Sequence, residues 1–549
     1  MRKYIVKYVV ALIFTGMCIA CYSQEVYWDC LKRAGGIGRD EAYSVATDQD
    51  DNIIVTGFIN GTAEFDGAEA SSTGGADIFI AKYDDNMDIV WLKTAGGNGE
   101  DKGHAVITDE FGNIYVTGFF SDTAYFEDTQ VISGQGIDMF IAKYDNNGDL
   151  SWVYSASSDS GSCGNGITNY EDRLYIAGYF YGTMNFGDTS LTSYGDADVF
   201  FAAYDIAGDH YWSEQAGGIN WDEAHDITVD SDGRVFATGN YREYALFGDS
   251  VIPANEICNI FTVCYNDQGE MLWVKYAGGQ GSDRGYGICT DGSDNVYITG
   301  YICLLSDSAY FDTTLIVTNG GRDMYLAKYN NAGDFQWVTK TGSAEEDIAK
   351  SVVAVDEDNI FITGYFNDTL FFGDTNIISG GYNDVLVAAF NTEGLVKWVK
   401  KAGSGLSDSG ESITKNKNNV LKVTGFFRET AYTDNDSVIS SGNADILILS
   451  LTDTNIVYIE PVKQSAVSIL VYPNPARGVF NIDISGTDKT VNIEIFDIYG
   501  RLMLKNEYND HQNYIKDSFD FSGYSRGIYF IRIISADLII SRVIKIAIH

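Results

Sequence analysis

Six aspartates at one recurring place are the first residues whose type and spacing could do chemistry: Asp40, Asp101, Asp222, Asp283, Asp347 and Asp408. Three of them close the motif GGxGxD, at Gly35–Asp40, Gly96–Asp101 and Gly278–Asp283, which matches the start of a calcium-binding nonapeptide. A calcium roll, however, needs tandem copies so that successive turns share each ion, and these copies stand a whole repeat apart. The expected role is therefore to cap backbone amides in a turn. Calcium is the candidate cofactor if the carboxylates gather near one mouth of a channel, because unpaired acids in one place are costly unless hydrogen-bonded or neutralised by a cation.

Three residues beyond each aspartate stand Tyr43, His104, His225, Tyr286, Lys350 and Glu411, with Ser351 as the alternative to Lys350 and Gly164 at the matching place of one further unit. Such variety at a repeated position suits a ligand-facing mouth, since core positions must stay uniform. His104 and His225, with Glu411 or Tyr286, could bind a metal or serve as acid and base. No zincin helix or nucleophile elbow accompanies them, so a solvated or ligand-binding rim is expected and no catalytic residue is assigned. The acidic turns "DQDDN", "DSDGR" and "DEDN" lack the glycine and glutamate an EF-hand requires and read as hairpins. Trp221 and other exposed aromatics could stack on sugar rings, while most Tyr and Phe serve as filling between sheets.

The elements that must position these residues repeat. Trp28, Trp91, Trp152, Trp212, Trp273, Trp337 and Trp398 recur at spacings of 60 to 64 residues. A TG or AG motif keeps the same beat, placing Gly57, Gly118, Gly178, Gly239, Gly300, Gly364 and Gly425 after an apolar strand, and "DIFIAKY" recurs as "DMFIAKY", "DVFFAAY" and "DMYLAKY". Each unit reads as four strands with Asp/Asn/Gly turns, and a shorter "TAYF"-type segment between the second and third. Seven such units predict an all-β fold, a seven-bladed β-propeller, in which the strand Val26–Leu31 completes the last blade beside Asp445–Leu451. A solenoid would not require that exchange of terminal strands.

These units resemble the SBBP family of bacterial β-propeller repeats, through "AGG…D", "GN.YVTG.F" and "D.FIAKY…G…W" over roughly residues 26 to 451, although the third unit reads "SASSDSGSCGNG" in place of the AGG turn. The resemblance implies a fold and says little about ligand. Farther on, "VYPNPARGVFNIDI", "VNIEIFDIYGRLML", "DFSGYSRGIYFIRI" and "SRVIKI" resemble the type A C-terminal sorting domain of the type IX secretion system of Bacteroidetes-like bacteria, with Tyr472–Pro475, Asp497–Gly500 and Gly527–Tyr529 in the expected places. Alternating strands of this length suggest a small antiparallel β-sandwich. The resemblance implies passage through the periplasm, contact with the type IX machinery, release or attachment at the cell surface, and commonly removal of the tail.

Composition agrees with export. Met1-Arg2-Lys3-Tyr4 precedes an apolar stretch from Val9 to Ala20, too short to span a membrane and expected to be a signal peptide cleaved after Ala20 or Ser23. Cys21 could instead be acylated. The expected domains are thus a signal at 1–24, a propeller at 25–452, a linker at 453–467 and a sorting domain at 468–549. Formal net charge is -41, and residues 25 to 461 hold 23 basic against 68 acidic side chains. That surface disfavours nucleic acid, leaving a glycan or protein as the expected ligand of a monomer without a transmembrane segment. Cys258 could pair with Cys264, and Cys289 with Cys303, or all could be buried thiols. The function expected is binding, adhesion or scaffolding. The alternative is a glycan-active hydrolase or lyase at the channel mouth.

Overall fold

The computed structural model describes residues 26–549 apart from 254–256, 304–308, 357, 373–374, 455–467, 473–477, 486–490, 498–500, 509–513, 536–541 and 549. The signal peptide with its cleavage sites and Cys21, most of the linker, and parts of the Tyr472–Pro475 and Asp497–Gly500 motifs therefore lie outside the described residues. The chain divides into two compact units, Met1–Ile456 and Val457–His549. Both are all-β, and among the described residues no helix is long and apolar enough to cross a membrane.

In the first unit one antiparallel order recurs. Glu41–Thr47 pairs with Ile53–Ile59, which pairs with Asp77–Tyr83, which pairs with Ile89–Gly97. The same order runs through Lys102–Thr108 to Leu150–Ser158 and through Glu223–Val229 to Met271–Gly279. Burial explains the compositions. In the first set the second and third strands, Ile53–Ile59 and Asp77–Tyr83, are buried at every position and largely apolar, whereas the fourth, Ile89–Gly97, is mostly half-buried.

The last set takes its fourth strand from the front of the unit. Val26–Gly36 pairs antiparallel with Asp445–Asp453, Trp28 opposite Leu451 and Ala34 opposite Ile446. Neighbouring first strands are also tied laterally. Val106 N–H donates to Ser44 Oγ at 3.1 Å, Ile413 N–H to Ser351 Oγ at 3.3 Å, and Val45 N–H to Ser412 Oγ at 3.3 Å. The strand Glu41–Thr47 thus lies between its successor and the strand Ser409–Lys415, more than three hundred residues away in sequence.

The periodic tryptophans and turn glycines form a second set of ties. Trp91 Nε1 donates to Asn146 O at 3.2 Å and Trp273 Nε1 to Asn331 O at 3.1 Å, each in a turn of the following unit. The turn glycines Gly148 and Gly333 lie flat against those indoles at positive φ, leaving no room for a Cβ. The "TAYF" segments pair as short hairpins onto the fourth strand of the preceding set, as Ala63 does with Gly36 and Ala124 with Gly97. These hairpins cover sheet edges that would otherwise stand open.

Cys30, Cys163, Cys258, Cys264, Cys289 and Cys303 are all free, which replaces the expected pairings Cys258–Cys264 and Cys289–Cys303. Burial pushes the Cys258 and Cys264 thiols up to about 11 and about 12. Burial raises Cys163 and Cys289 likewise, so alkylation of native protein at pH 8 should spare these four, while after denaturation each of the six named thiols takes up label without reduction. Uptake that requires a reductant would contradict free thiols.

The second unit holds two antiparallel sheets, one of Ser468–Tyr472, Val479–Ser485 and Tyr514–Asp520, the other of Leu502–Tyr508, Val491–Asp497, Gly527–Ser535 and Arg542–Ile548. Phe480, Ile482, Ile493, Ile495, Phe519 and Ile531, drawn from both sheets, share one buried cluster.

Candidate functional site

Every first strand carries a β-bulge at the same place. Pairing slips between Ala42 and Ser44, Gly103 and Ala105, Gly164 and Gly166, Ala224 and Asp226, Gly285 and Gly287, Ala349 and Ser351, and Gly410 and Ser412. The extra residues are Tyr43, His104, Asn165, His225, Tyr286, Lys350 and Glu411, and all seven line one cavity of about 380 Å³. A bulge leaves one residue outside the ladder and re-aims its side chain, so the repeat delivers one variable side chain per strand into a shared space.

The TG motif builds these bulges. Gly118 pairs with Gly103 and Gly239 with Ala224, directly beside the bulge. An ideal Cβ on Gly118 would overlap the Lys102 carbonyl oxygen, and one on Gly239 the Glu223 carbonyl oxygen. The residue before the bulge is always Gly or Ala, and where it is Gly103 or Gly285 a Cβ would strike the hydroxyl of Thr56 or Thr238, which donates to a third-strand carbonyl.

Six of the seven were found by counting three residues from each aspartate. The seventh was missed by one place, since the cavity receives Asn165 and not Gly164. The third unit has Ser162 where the others have aspartate, so the anchor for the count was absent. Lys102, Phe119, Glu223 and Asp226 also line the cavity and were not anticipated. Lys102 and Glu223 stand two residues before a bulge, and that spacing was the available signal.

Along one wall runs a polar chain. His104 Nδ1 is 3.0 Å from Asn165 Oδ1, Asn165 Nδ2 donates to Glu223 Oε1 at 3.0 Å, and His225 Nδ1 lies 3.8 Å from that carboxylate. His225 Nε2 is 2.8 Å from Asn240 Oδ1. Burial holds both imidazoles below their ordinary pKa, so both are neutral at pH 7. On the other wall Lys350 lies 3.6 Å from Glu411 and 4.5 Å from the Tyr286 ring centroid. Burial would lower the Lys350 pKa, but Glu411 and the neighbouring tyrosines more than reverse this and keep it charged. Tyr43 packs edge-on against His104 with ring centroids 5.4 Å apart, and its hydroxyl donates to Glu41 at 3.1 Å.

The cavity thus offers two neutral imidazoles, paired Lys and Glu, tyrosines and an amide. Cys163 Sγ, 3.4 Å from His104 Nδ1 and 3.3 Å from Asn165 Oδ1, adds a cysteine–histidine–asparagine grouping. One imidazole nitrogen faces both partners, which is not the opposed arrangement of a nucleophilic triad, and burial raises the thiol well above its usual pKa. It is a packed thiol.

The six aspartates have a different task. Asp40 accepts from Gly36 N–H at 2.7 Å and Asn60 N–H at 2.8 Å, Asp222 from Gly218 at 2.6 Å and Arg242 at 2.8 Å, and Asp408 from Ser404 at 2.5 Å and Arg428 at 2.8 Å. Asp101, Asp283 and Asp347 repeat the pattern. Each carboxylate is buried and ties two main-chain segments together. Among the described residues no three His, Cys, Asp or Glu side chains stand together as ligands for one ion, so the calcium expectation acquires no ligand set from them.

Residues 470–548 match the family described as secretion system C-terminal sorting domain, and residues 272–302 match the beta-propeller repeat. The chain is 28% identical over 228 residues to an uncharacterized WD repeat-containing protein of Acanthamoeba polyphaga mimivirus, a match covering 35% of this chain and 16% of that protein's length. Among solved structures it is similar to a DUF4221 family member from Bacteroides vulgatus, at 9% identity and a TM-score of 0.28 over 62% of this chain and 92% of that one. It is also similar to PorZ, described as a surface component of the type-IX secretion system of Porphyromonas gingivalis, at 11% identity and a TM-score of 0.16 over 94% of this chain and 100% of that one.

Proposed function

From a chain that carries a secretion-system sorting domain at residues 470–548 and a β-propeller repeat at 272–302, we propose an exported seven-bladed propeller that binds a polar ligand at the mouth of its central channel. The proposed domains are the signal at 1–24, the propeller at 25–452, the linker at 453–467 and a sandwich-type sorting domain at 468–549. In this reading the type IX machinery delivers the protein to the cell surface or beyond.

One observation carries the binding role: seven bulged residues of seven different strands, chemically unlike one another, converge on one cavity. Uniform positions serve a fold, whereas variation at a converging position serves recognition. The cavity sets Lys102 and Lys350 against Glu223, Glu411 and Asp226, the last pushed up to about 7 by burial, and this mixture of both signs favours a neutral or zwitterionic ligand rather than a phosphate.

The enzymatic alternative draws on the Tyr43–His104 pair. Burial raises the Tyr43 pKa and its hydroxyl is engaged by Glu41, which makes it a poor base, so binding is the better reading.

The test is a thermal-shift screen of the whole protein against neutral oligosaccharides, amino acids and short peptides, repeated with Tyr286→Ala and Glu411→Gln. At least one compound should raise the melting temperature of wild type, with affinity about tenfold weaker in Tyr286→Ala. No stabilising compound, or equal affinity in both variants, overturns the reading. Release of cleaved oligosaccharide by wild type but not by Glu411→Gln would replace it with hydrolysis.

A further inference from the structure

Seven near-equivalent units allow a comparison within the molecule: what every unit shares serves the fold, and what one unit alone carries needs another reason. Two aromatic residues stand out on this basis. The residue before the capping aspartate is Arg39, Glu100, Ser282, Glu346 or Ser407 in other units, but Trp221 in one. Three residues after the TG glycine stand Asn60, Ser121, Arg242, Cys303, Asn367 or Arg428, but Tyr181 in the third unit.

The fold brings these two exceptions together. Trp221 and Tyr181 have ring centroids 6.0 Å apart, and Tyr179 lies 5.7 Å from Trp221 and 5.9 Å from Tyr181. Trp221 is 37% exposed, a large apolar ring kept in solvent where the repeat elsewhere places polar side chains. Two residues before it Ile219 is 53% exposed, and the chain at Gly195, next to the half-exposed Tyr194, lies against Ile219.

The cluster adjoins the cavity. Trp221 is two residues from Glu223, and Tyr179 pairs directly with Cys163, whose sulfur contacts His104. Glu223 and Asn165, joined at 3.0 Å, supply a carboxylate and an amide beside the rings.

We infer that Trp221, Tyr181 and Tyr179 form a stacking platform for a neutral saccharide, whose hydroxyls reach Glu223 and Asn165. A pyranose has one face of C–H groups, which suits the electron-rich face of an indole or phenol, and a rim of hydroxyls that needs mixed donors and acceptors. An acidic chain of net charge -41 disfavours anionic sugars. The proposal rests on the cavity reading above and names its ligand class.

The experiment is isothermal titration of the whole protein with cellohexaose, xylohexaose, mannohexaose and chitohexaose, with oligogalacturonate as the anionic control. Wild type should bind at least one neutral hexasaccharide and not oligogalacturonate. Trp221→Ala should bind that sugar at least tenfold more weakly, Tyr181→Asn, which copies other units, should weaken it severalfold, and Trp221→Phe should keep most of the affinity. Because Trp221 sits in an exposed turn, its variants should melt as wild type does. If none of the neutral sugars binds, or only the anionic one does, the saccharide assignment falls. If Tyr286→Ala abolishes sugar binding but Trp221→Ala does not, the platform falls and the cavity stands. If Trp221→Ala alone abolishes it, the platform stands and the cavity reading falls.

Discussion

Gly118→Ala and Gly239→Ala should each destabilise the first unit by about 3 kcal/mol or more, enough that one or both fail to accumulate as folded protein. The new Cβ would meet main chain first: the Lys102 carbonyl oxygen in one case, and in the other the Glu223 carbonyl oxygen, with Ala224 Cα and the ring of the buried Phe261 each 2.8 Å away. Relief requires the bulged strand to move off its partner, which breaks ladder hydrogen bonds in a strand that also ties two neighbouring sheets. Gly292→Ala is the control, since nothing lies within 4 Å of its Cβ direction, and it should change stability by less than about 0.5 kcal/mol. Denaturant midpoints report the comparison. With 5 histidines in the chain, the His104 imidazole resonance can also be followed. It should shift in any Gly118→Ala protein that folds, because the glycine sits opposite the strand that aims it. A wild-type midpoint together with an unmoved His104 signal would refute the account of why the motif recurs.

Asp77→Asn and Asp198→Asn should stabilise the protein at pH 8.5 by about 1–3 kcal/mol each and by much less at pH 5. Each acid starts a third strand and faces a capping aspartate across a positive-φ glycine. An ideal Cβ on Gly96 would lie 2.7 Å from Asp77 Cγ and 2.8 Å from Asp101 Oδ2, and one on Gly217 2.7 Å from Asp198 Cγ and 2.9 Å from Asp222 Oδ2. Where the same place holds Asp445, Asp323 or Asp384, a cation answers it: Arg33 at 2.8 Å, Lys340 at 2.8 Å or Lys401 at 3.0 Å. Among the described residues Asp77 and Asp198 have no such partner, and Oδ1 of each accepts no hydrogen bond. Burial, reinforced for Asp77 by the Asp101 charge, pushes both carboxyls up to about 7, and burial with the facing Asp198 pushes Asp222 to about 8.

The sign follows from linkage. These folded-state values lie above the ordinary 3.8, so between roughly pH 4 and pH 8 the folded protein holds protons that the unfolded chain has released. Their contribution to stability is greatest at the acidic end of that window and is lost as pH rises through it. An asparagine cannot ionise, so its advantage grows from roughly pH 4, where the unfolded chain releases the proton, and levels off above the folded-state value. The molecule contains its own precedent. One unit carries Asn259 at this place, and with its amide turned so that oxygen and nitrogen both find partners it donates to the carbonyls of Cys258 at 3.0 Å and Gly279 at 3.2 Å. Melting temperatures of the two variants at pH 5 and pH 8.5 decide the matter. An equal change at both values, or a loss at pH 8.5, would remove uncompensated burial as the cause.

Much of this protein was legible before any coordinates. The tryptophan and glycine beat, the four strands per unit and the joining of Val26–Leu31 to Asp445–Leu451 all follow from local patterns that repeat, and local pattern is what a chain carries in its order of residues. Counting from a turn aspartate found six cavity side chains because turn, strand and bulge are rigidly spaced within one unit. Three things needed the tertiary structure. The bulge that selects Asn165 over Gly164 depends on which residue faces Gly178 across the ladder. The fate of the aspartates depends on main-chain amides from a different strand, and the meeting of Trp221 with Tyr181 depends on two units packing side by side. Spacing along the chain measures distance within a unit, whereas charge pairing, burial and convergence on a cavity are set between units, where residues far apart in sequence become neighbours.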